Sequence, residues 1–300
     1  MKTILITGGT GFLGSHLVKS LLAENYTIVL LKRKSSSLEK IASLIPHLHI
    51  FDVEDGLEKP FEKLDRVDVV LHTATCYGKH GETVSSIFDS NVVIPLKLLE
   101  TAILFNTDTF FNTDTYFNTE SPLTNYLSSY ALSKRQFMEQ GKLIAGSGKI
   151  RFLNLRLEHL YGPEDDNCKF VSHIIRNCLQ NVPELQLTLG EQKRDFVYID
   201  DVAEAYITLL DKLEEIPFGF TQFGIGTGQT VSIRDFVSTV HRVTGSKTKL
   251  VFGGVPYREN EIMNSSADVT GIEALGWRCQ HDIESGIRKT LEDVMQKGLS

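Results

Sequence analysis

Thr3-Ile-Leu-Ile-Thr-Gly-Gly-Thr-Gly-Phe-Leu-Gly14 decides the fold. Thr3 to Thr7 is a short β-branched, apolar run suited to a buried parallel strand, and His16 to Leu22 beyond the glycines carry helical spacing. Strand, glycine loop and helix together make a phosphate cradle. Gly8 permits a tight turn, Gly11 lets the backbone approach a pyrophosphate, and Gly14 lets the helix pack closely on the sheet with its N-terminus facing the anion. The spacing is G-x-x-G-x-x-G rather than G-x-G-x-x-G. Its place directly after a first strand favours a dinucleotide site over an isolated turn.

The second strand, Thr27 to Leu31, points to the dinucleotide. An acidic residue about 20 positions beyond the glycines would hold an adenosine ribose 2′-hydroxyl, but Lys32-Arg33-Lys34 and then Ser35-Ser36-Ser37 stand there. Cations at that place suit a 2′-phosphate and predict NADP(H), with Arg33 the best partner because its planar fork pairs with phosphate oxygens. The alternative is a solvated basic turn.

Composition agrees with a soluble enzyme. The 300 residues, 41% of them hydrophobic, can bury a large core, and a net charge of −7 argues against nucleic acid or an anionic membrane as partner. Any phosphate recognition is therefore local. Cys76, Cys168, Cys178 and Cys279 are scattered without metal-ligand spacing and suit free thiols. The nine histidines form no convincing ligand cluster either, so no metal is expected. The start Met-Lys-Thr-Ile-Leu runs straight into the first strand, so neither secretory signal nor membrane span is expected, and a cytoplasmic location is.

Strands and helices then alternate as in a Rossmann-type, doubly wound parallel α/β sheet. His47 to Phe51 reads as a strand leading to Asp52-Val53, where Asp52 is placed to reach an adenine amino group. Val67 to His72 reads as another, leading to His72-Thr-Ala-Thr75 at a carboxyl-terminal strand edge where cofactors pass. Asn91 to Leu104 reads as a helix, Thr109 to Asn112 as a strand, Leu127 to Leu143 as a helix and Ile150 to Leu155 as a strand. From Pro163 the pattern breaks into Glu-Asp-Asp-Asn-Cys before a helix from Phe170 to Leu179. That break suggests residues 1–163 as the NADP(H)-binding domain and 164–300 as mainly a smaller α/β substrate lobe, with some segments returning to the sheet.

Tyr130-Ala-Leu-Ser-Lys134 adds chemistry to the cofactor site. A tyrosine four residues before a lysine puts both on one helix face. There the ammonium favours the phenolate and brings a phenol toward use near neutral pH. Phe105-Asn-Thr-Asp-Thr109 recurs as Phe111-Asn-Thr-Asp-Thr115 and nearly again from Phe117 to Glu120, a period matching no solenoid. Only the second copy begins at the exit edge of a strand. Thr113 is therefore the best candidate to hydrogen-bond a reacting carbonyl, and Thr107 and Thr119 are expected to be loop residues.

Gly8-x-x-Gly11-x-x-Gly14, His72-Thr-Ala, Asn91-Val, Thr113, Tyr130-x-x-x-Lys134, Leu155-Arg-Leu-Glu-His-Leu-Tyr-Gly-Pro163, Arg194-Asp-Phe-Val-Tyr-Ile-Asp-Asp201 and Phe223-Gly-Ile-Gly-Thr-Gly228 together resemble an extended short-chain dehydrogenase/reductase of the nucleotide-sugar epimerase/dehydratase type. Asn112 to Phe117, Arg156 to Pro163, Lys169-Phe170, Gly190 to Asp195 and Asn260 to Met263 narrow this to a likeness with the CDP-abequose and CDP-paratose synthases, which reduce a CDP-3,6-dideoxy-4-ketohexose at C4 with NADPH. The resemblance implies an NADPH-dependent 4-ketoreductase of surface-polysaccharide (O-antigen, lipopolysaccharide) biosynthesis. Thr113, Tyr130 and Lys134 would be catalytic, Lys134 also holding the nicotinamide ribose. Cofactor contacts are implied at Phe12, Leu13, Lys32, Arg33, Asp52, Val53, His72, Thr73, Ala74, Asn91 and Leu157 besides the glycines. Substrate contacts are implied at Thr75, Asp114, His159, Lys169, Phe170, Arg194 and Arg258, the arginines on the diphosphate; pairing of Arg194 with Asp195 or Asp200 is the alternative.

Sugar 4,6-dehydratases of this type carry Thr-Asp-Glu, the glutamate working at C5, whereas this chain has Thr113-Asp114-Thr115, which argues against elimination. The resemblance also implies a homodimer, with Asn91 to Leu104 and Ala131 to Leu143 as candidate interface helices. Two rival functions stay open: an NAD-dependent nucleotide-sugar epimerase, and a non-catalytic NADP-binding redox sensor.

Overall fold

The computed structural model describes residues 2–79, 81–115, 129–167, 169–259 and 261–296. Thr119, the third Phe-Asn-Thr copy and Cys168 lie outside them. The chain forms two compact units from interleaved segments, Met1–Arg156 with Tyr206–Phe223, and Leu157–Ala205 with Gly224–Ser300.

The first unit contains β1 (Thr3–Thr7), α1 (Phe12–Ala23), β2 (Thr27–Lys32), β3 (Leu48–Asp52), α2 (Lys59–Lys63) and β4 (Val69–His72). Next come α3 (Val84–Phe88), a π-helical turn (Asp89–Val93) and α4 (Ile94–Leu104), followed by β5 (Thr109–Thr115), α5 (Ser129–Ala145) and β6 (Arg151–Leu157). The helix expected from Asn91 thus begins at Val84. Pro95, near the start of α4, has no N–H to return to the preceding turn, which accounts for the wider π turn just before it.

A seven-stranded sheet has the order β11-β6-β5-β4-β1-β2-β3, where β11 is Gly219–Ile225. Strand β1 pairs in parallel with both β2 and β4, β2 with β3, and β4 with β5. The order reverses direction between β1 and β4, and such a switch point opens a crevice at the strands' carboxyl ends. Burial follows from the sequence. Val, Ile and Leu fill β1, β2 and β4 on both faces, as an internal parallel sheet requires. Phe110 stacks on Phe152 at 5.7 Å and meets Phe137 of α5 edge-on at 6.0 Å. Gly141 on α5 makes room for them, since a Cβ there would collide with the Phe152 ring.

The second unit contains β7 (His159–Tyr161), α6 (Phe170–Leu179), β8 (Glu184–Leu187), β9 (Lys193–Arg194) and β10 (Phe196–Tyr198). Helix α7 (Ile199–Asp211) starts there and ends in the first unit. Beyond β11 come β12 (Val231–Ser232), α8 (Ile233–Thr244), β13 (Lys249–Phe252), β14 (Asn264–Ser265), α9 (Thr270–Ala274) and α10 (Ile283–Gln296). The strands make small sheets, β10-β7, β12-β9-β14 and β13-β8. Helix α8 is bounded by local signals: Ser232 accepts a hydrogen bond from the Asp235 N–H at 3.0 Å, and Gly245 takes the left-handed conformation after its last turn.

Buried Asp195 organises this unit. Its carboxylate accepts from the Thr227 N–H (2.8 Å), the Thr227 hydroxyl (2.7 Å), and the N–H groups of Gly228 (2.9 Å) and Ala267 (3.2 Å), tying two distant segments to one charge.

Candidate active site

The glycine loop fits a dinucleotide on its own geometry. Gly8 adopts φ +72°, and a Cβ there would lie 2.5 Å from the Ala74 nitrogen; a Cβ on Gly14 would collide with the Gly8 carbonyl. The Gly11 N–H donates to that same carbonyl at 2.9 Å, closing the turn. Helix α1 then starts with no side-chain cap and no acidic residue in its first turn, so its positive end suits an anion. Phe12 and Leu13 are half-buried in that turn. The loop after β4 closes the cradle: Thr73 donates through its hydroxyl to the Thr7 carbonyl at 2.8 Å.

The three cations at the end of β2 separate into different roles. Lys32 is ion-paired with Asp52 at 2.6 Å, and Lys34 pairs with Asp55 at 2.6 Å while its N–H donates to the Glu54 carboxylate. Carboxylates absent from the β2 segment thus arrive from the end of β3, the neighbouring strand. Arg33 is exposed, and its guanidinium has no carboxylate partner among the described residues. Val53 is half-buried just beyond Asp52.

Lys134 is the centre of the site. It is 2% exposed, and its ammonium donates to the Thr113 carbonyl oxygen at 2.5 Å. Burial pulls its pKa below the ordinary lysine range, with Asp114 opposing the shift. Buried His72 is held well below the ordinary histidine range, first by burial and then by the Lys134 charge. It is therefore a neutral imidazole, and its Nδ1 meets the Thr7 hydroxyl at 2.8 Å. Strand pairing places Thr7, His72 and Asn112 side by side on β1, β4 and β5, and Asn112 continues the polar row to Asn154 (2.7 Å) on β6, which reaches Gln222 (3.1 Å) on β11.

Strand β5 runs on through Thr115, so Thr113 lies within it rather than beyond its end. Alternation then decides where each side chain goes. Phe110 faces α5, and the even-numbered Asp114 contributes to the field at Lys134. The odd-numbered Phe111 and Thr113 face α7, where Phe111 stacks on Tyr206 at 5.9 Å and the Thr113 hydroxyl meets the Tyr206 hydroxyl at 2.5 Å. The structure therefore joins Thr113 to Lys134 through its backbone and to Tyr206 through its side chain. Thr107 stands in the loop before β5, as expected, and is buried there, donating to the Val67 carbonyl at 2.9 Å.

Tyr130 lies one helical turn before Lys134, half-buried, with the half-exposed Tyr77 ring 4.9 Å away. Buried Asn91 clamps the loop bearing Tyr77. Its amide oxygen accepts from the Cys76 N–H (2.8 Å), and its nitrogen donates to the Cys76 carbonyl (2.9 Å) and to the Ser133 hydroxyl (3.0 Å) on α5. The side chain of Asn91, one of the expected cofactor contacts, thus ties the loop after β4 to α5. Thr75 is half-buried in the same loop, and Leu157 is buried at the end of β6.

In the second unit, Arg194 is 8% exposed and pairs with Glu261 at 2.7 Å rather than with Asp195 or Asp200. Asp195, adjacent on the chain, turns to its loop hub, while Asp200 lies 3.9 Å from Lys289. Burial lowers the Arg194 pKa, and Glu261 and Glu158 oppose that. Glu158, absent from the expectations, has a buried carboxylate that accepts from the Ser265 hydroxyl (2.8 Å) and lies 3.3 Å from Nδ1 of half-exposed His159. Lys169 pairs with Asp165 at 2.8 Å, Phe170 is 39% exposed at the start of α6, and Arg258 is exposed. Among the described residues no group of three His, Cys, Asp or Glu side chains is placed to hold a metal, and no helix is long and apolar enough to cross a membrane.

A glycine cradle at a Rossmann switch point, with Tyr130 and Lys134 on one helix against the end of β5, defines a short-chain dehydrogenase/reductase architecture. Residues 4–222 match the NAD dependent epimerase/dehydratase family. The chain is 35% identical over 291 residues to a CDP-abequose synthase of Salmonella muenchen, covering 97% of each protein, and 27% identical over 304 residues to a putative UDP-glucose 4-epimerase of Methanocaldococcus jannaschii, covering 96% of this chain and 97% of that protein. Its fold matches a UDP-glucuronic acid 4-epimerase of Bacillus cereus, solved with UDP-glucuronic acid and NAD, with a TM-score of 0.84, 23% identity, and coverage of 99% of this chain and 100% of that one. This chain belongs to the epimerase/dehydratase family of extended short-chain dehydrogenases/reductases.

A buried ammonium opposes folding, which gives Lys134 a testable signature. Because its folded pKa lies below the unfolded value, the unfolded chain binds more protons between the two, and stability rises with pH across that window. Lys134→Met is expected to remove that rise. Urea titrations from pH 7 to 10 should show a variant at least as stable as wild type at pH 7, the difference shrinking toward pH 10. A variant less stable at neutral pH would contradict the assignment of Lys134 as an unfavourably buried cation.

Proposed function

We propose that the chain is an NADPH-dependent nucleotide-sugar 4-ketoreductase acting on a CDP-3,6-dideoxy-4-ketohexose at C4. The observation that carries this reading is the convergence of Thr113, Lys134 and the Tyr130 helix turn beside the loop following β4. When bound in the glycine cradle, NADPH supplies the hydride. Gly8, Gly11 and Gly14 with the start of α1 would hold the pyrophosphate, Arg33 would take the 2′-phosphate, and Asp52 would serve the adenine. Lys32 neutralises Asp52 and shapes that subsite rather than binding phosphate itself.

Tyr130 gives its proton to the oxygen of the reduced carbonyl. The Lys134 ammonium makes that transfer easier by favouring the phenolate left behind. Thr113 donates from its hydroxyl to the same oxygen and favours the charge that develops there. A positioned proton donor is commonly worth roughly 10² to 10⁴ in rate. Arg194 and Arg258 hold the diphosphate, and His159, Lys169, Phe170, Thr75 and Asp114 hold the nucleotide and sugar. Residues 1–163 would supply most of the cofactor domain and 164–300 most of the substrate contacts, although the units divide after Arg156 and Tyr206–Phe223 returns to the first.

Support for the CDP-linked substrate comes from the 35% identical relative, and support for reduction over elimination from Thr115, where a dehydratase carries glutamate. Exposed Val84, Phe88, Leu104, Leu132 and Leu143 on α3, α4 and α5 support a homodimer through these helices. The product would enter surface-polysaccharide synthesis in the cytoplasm.

Anaerobic NADPH oxidation with CDP-, dTDP- and UDP-linked 4-keto-6-deoxy sugars, with and without the 3-hydroxyl, tests the substrate. Turnover confined to the CDP-linked 3-deoxy compound is expected. Purified protein that retains NAD and interconverts sugars without consuming NADPH would establish the epimerase instead, and wild-type function in Tyr130→Phe would favour a redox sensor. Fluorescence titration tests the cofactor: Arg33→Ala should weaken NADPH binding roughly tenfold or more and leave NADH binding within about twofold. Equal losses for both would remove Arg33 from the 2′-phosphate.

A further inference from the structure

Tyr206 is a large polar side chain that the mechanism above leaves unused. It lies on α7 and is 0% exposed, with one face stacked on Phe111. Burial pushes its phenol well above the ordinary tyrosine range, so near neutral pH it carries its proton. A buried O–H without an acceptor is costly. The Thr113 hydroxyl, 2.5 Å away, is the hydrogen-bond partner the described residues offer it.

We infer that Tyr206 is a positioning residue that donates its phenolic proton to Thr113 Oγ1 and so keeps the threonine's own hydroxyl proton free to point at the substrate carbonyl. Three observations combine. First, polarity: a neutral hydroxyl carries one proton and two acceptor lone pairs, so a threonine that accepts from Tyr206 still has its proton to give. Second, restraint: the Lys134 ammonium grips the Thr113 carbonyl at 2.5 Å while Tyr206 grips the side chain, and threonine has one side-chain torsion between the two. Third, access: Thr113 is only half-buried although its neighbours Asn112 and Asp114 are buried, so its free proton has a way out.

Without Tyr206 the hydroxyl proton is free to turn to other acceptors. With it, the donor is aimed before substrate arrives. Pre-aimed donors act chiefly on the charge that grows in the transition state, so loss should appear in kcat rather than in KM. Tyr206 touches neither substrate nor cofactor and acts through Thr113. This inference rests on the proposed role of Thr113.

A double-mutant cycle separates the two claims. Thr113→Val should lower kcat by roughly 10² or more. Tyr206→Phe should lower kcat about tenfold, with KM, NADPH affinity by fluorescence and Tm near wild type. Placed in the Thr113→Val background, Tyr206→Phe should cost nothing further. If Thr113→Val is harmless, the role of Thr113 falls and this inference with it. If Thr113→Val is costly and Tyr206→Phe is either harmless or equally costly in both backgrounds, only the inference falls. Should Tyr206→Phe fail to fold, ¹³C-tyrosine labelling reads the bond in folded protein: the Tyr206 Cζ resonance should stay constant from pH 6 to 10 and shift in Thr113→Val. A resonance unmoved by Thr113→Val would overturn the inference.

Discussion

The buried Lys134 ammonium constrains everything around it. A cation at 2% exposure needs acceptors and favourable fields around it, and here the Thr113 carbonyl and nearby Asp114 offset part of the cost of burial. His72 stays neutral, first because it is buried and then because of the same charge. These requirements fix the end of β5 against α5 and thereby the turn of helix that carries Tyr130. The loop after β4 is tied to the same helix through Asn91 and Ser133, which brings Tyr77 against Tyr130. A site costly to fold is thus one whose donors need little rearrangement when a ligand arrives.

The two units solve the charge problem differently. In the first, polar side chains line up across the sheet from Thr7 through His72 and Asn112 to Asn154 and Gln222, each on a different strand. In the second, carboxylates act as hubs for loops. Asp195 gathers Thr227, Gly228 and Ala267, while Asp201 gathers Gln280 and His281 and receives the Cys279 thiol, whose pKa is pushed up to about 12 by burial and that carboxylate. A thiol so held is a structural donor and not a nucleophile. The same reasoning separates Arg194, buried and paired with Glu261, from the exposed Arg258.

Features set by local geometry were legible in the sequence. The glycine turn, the strand before it and the helix after it follow from steric limits spanning a dozen residues, and Tyr130 and Lys134 share a face because of helical periodicity. What the sequence hid depends on distant partners. The Thr113 hydroxyl points toward α7 because strand alternation puts it there and Tyr206, 93 residues further on, meets it. Arg194 finds Glu261, 67 residues away, instead of its neighbour Asp195, which faces its own loops. Arg33 stands out in the Lys32-Arg33-Lys34 run by its planar fork, but the run gives no sign that β3 delivers Asp52 and, beyond it, Glu54 and Asp55 to the lysines on either side. A short segment discloses its own conformation but not which charges another strand brings to it.

The central claim is that one ligand oxygen meets both the phenol of Tyr130 and the hydroxyl of Thr113, with the Lys134 ammonium beneath. A crystal structure with NADP⁺ and the reduced CDP-sugar measures this directly. The account predicts the C4 oxygen within about 3 Å of both hydroxyls, hydrogen-bond distance for O–H donors. A well-ordered sugar whose C4 oxygen lies beyond about 5 Å from Tyr130, contacted by a different proton donor, would contradict it.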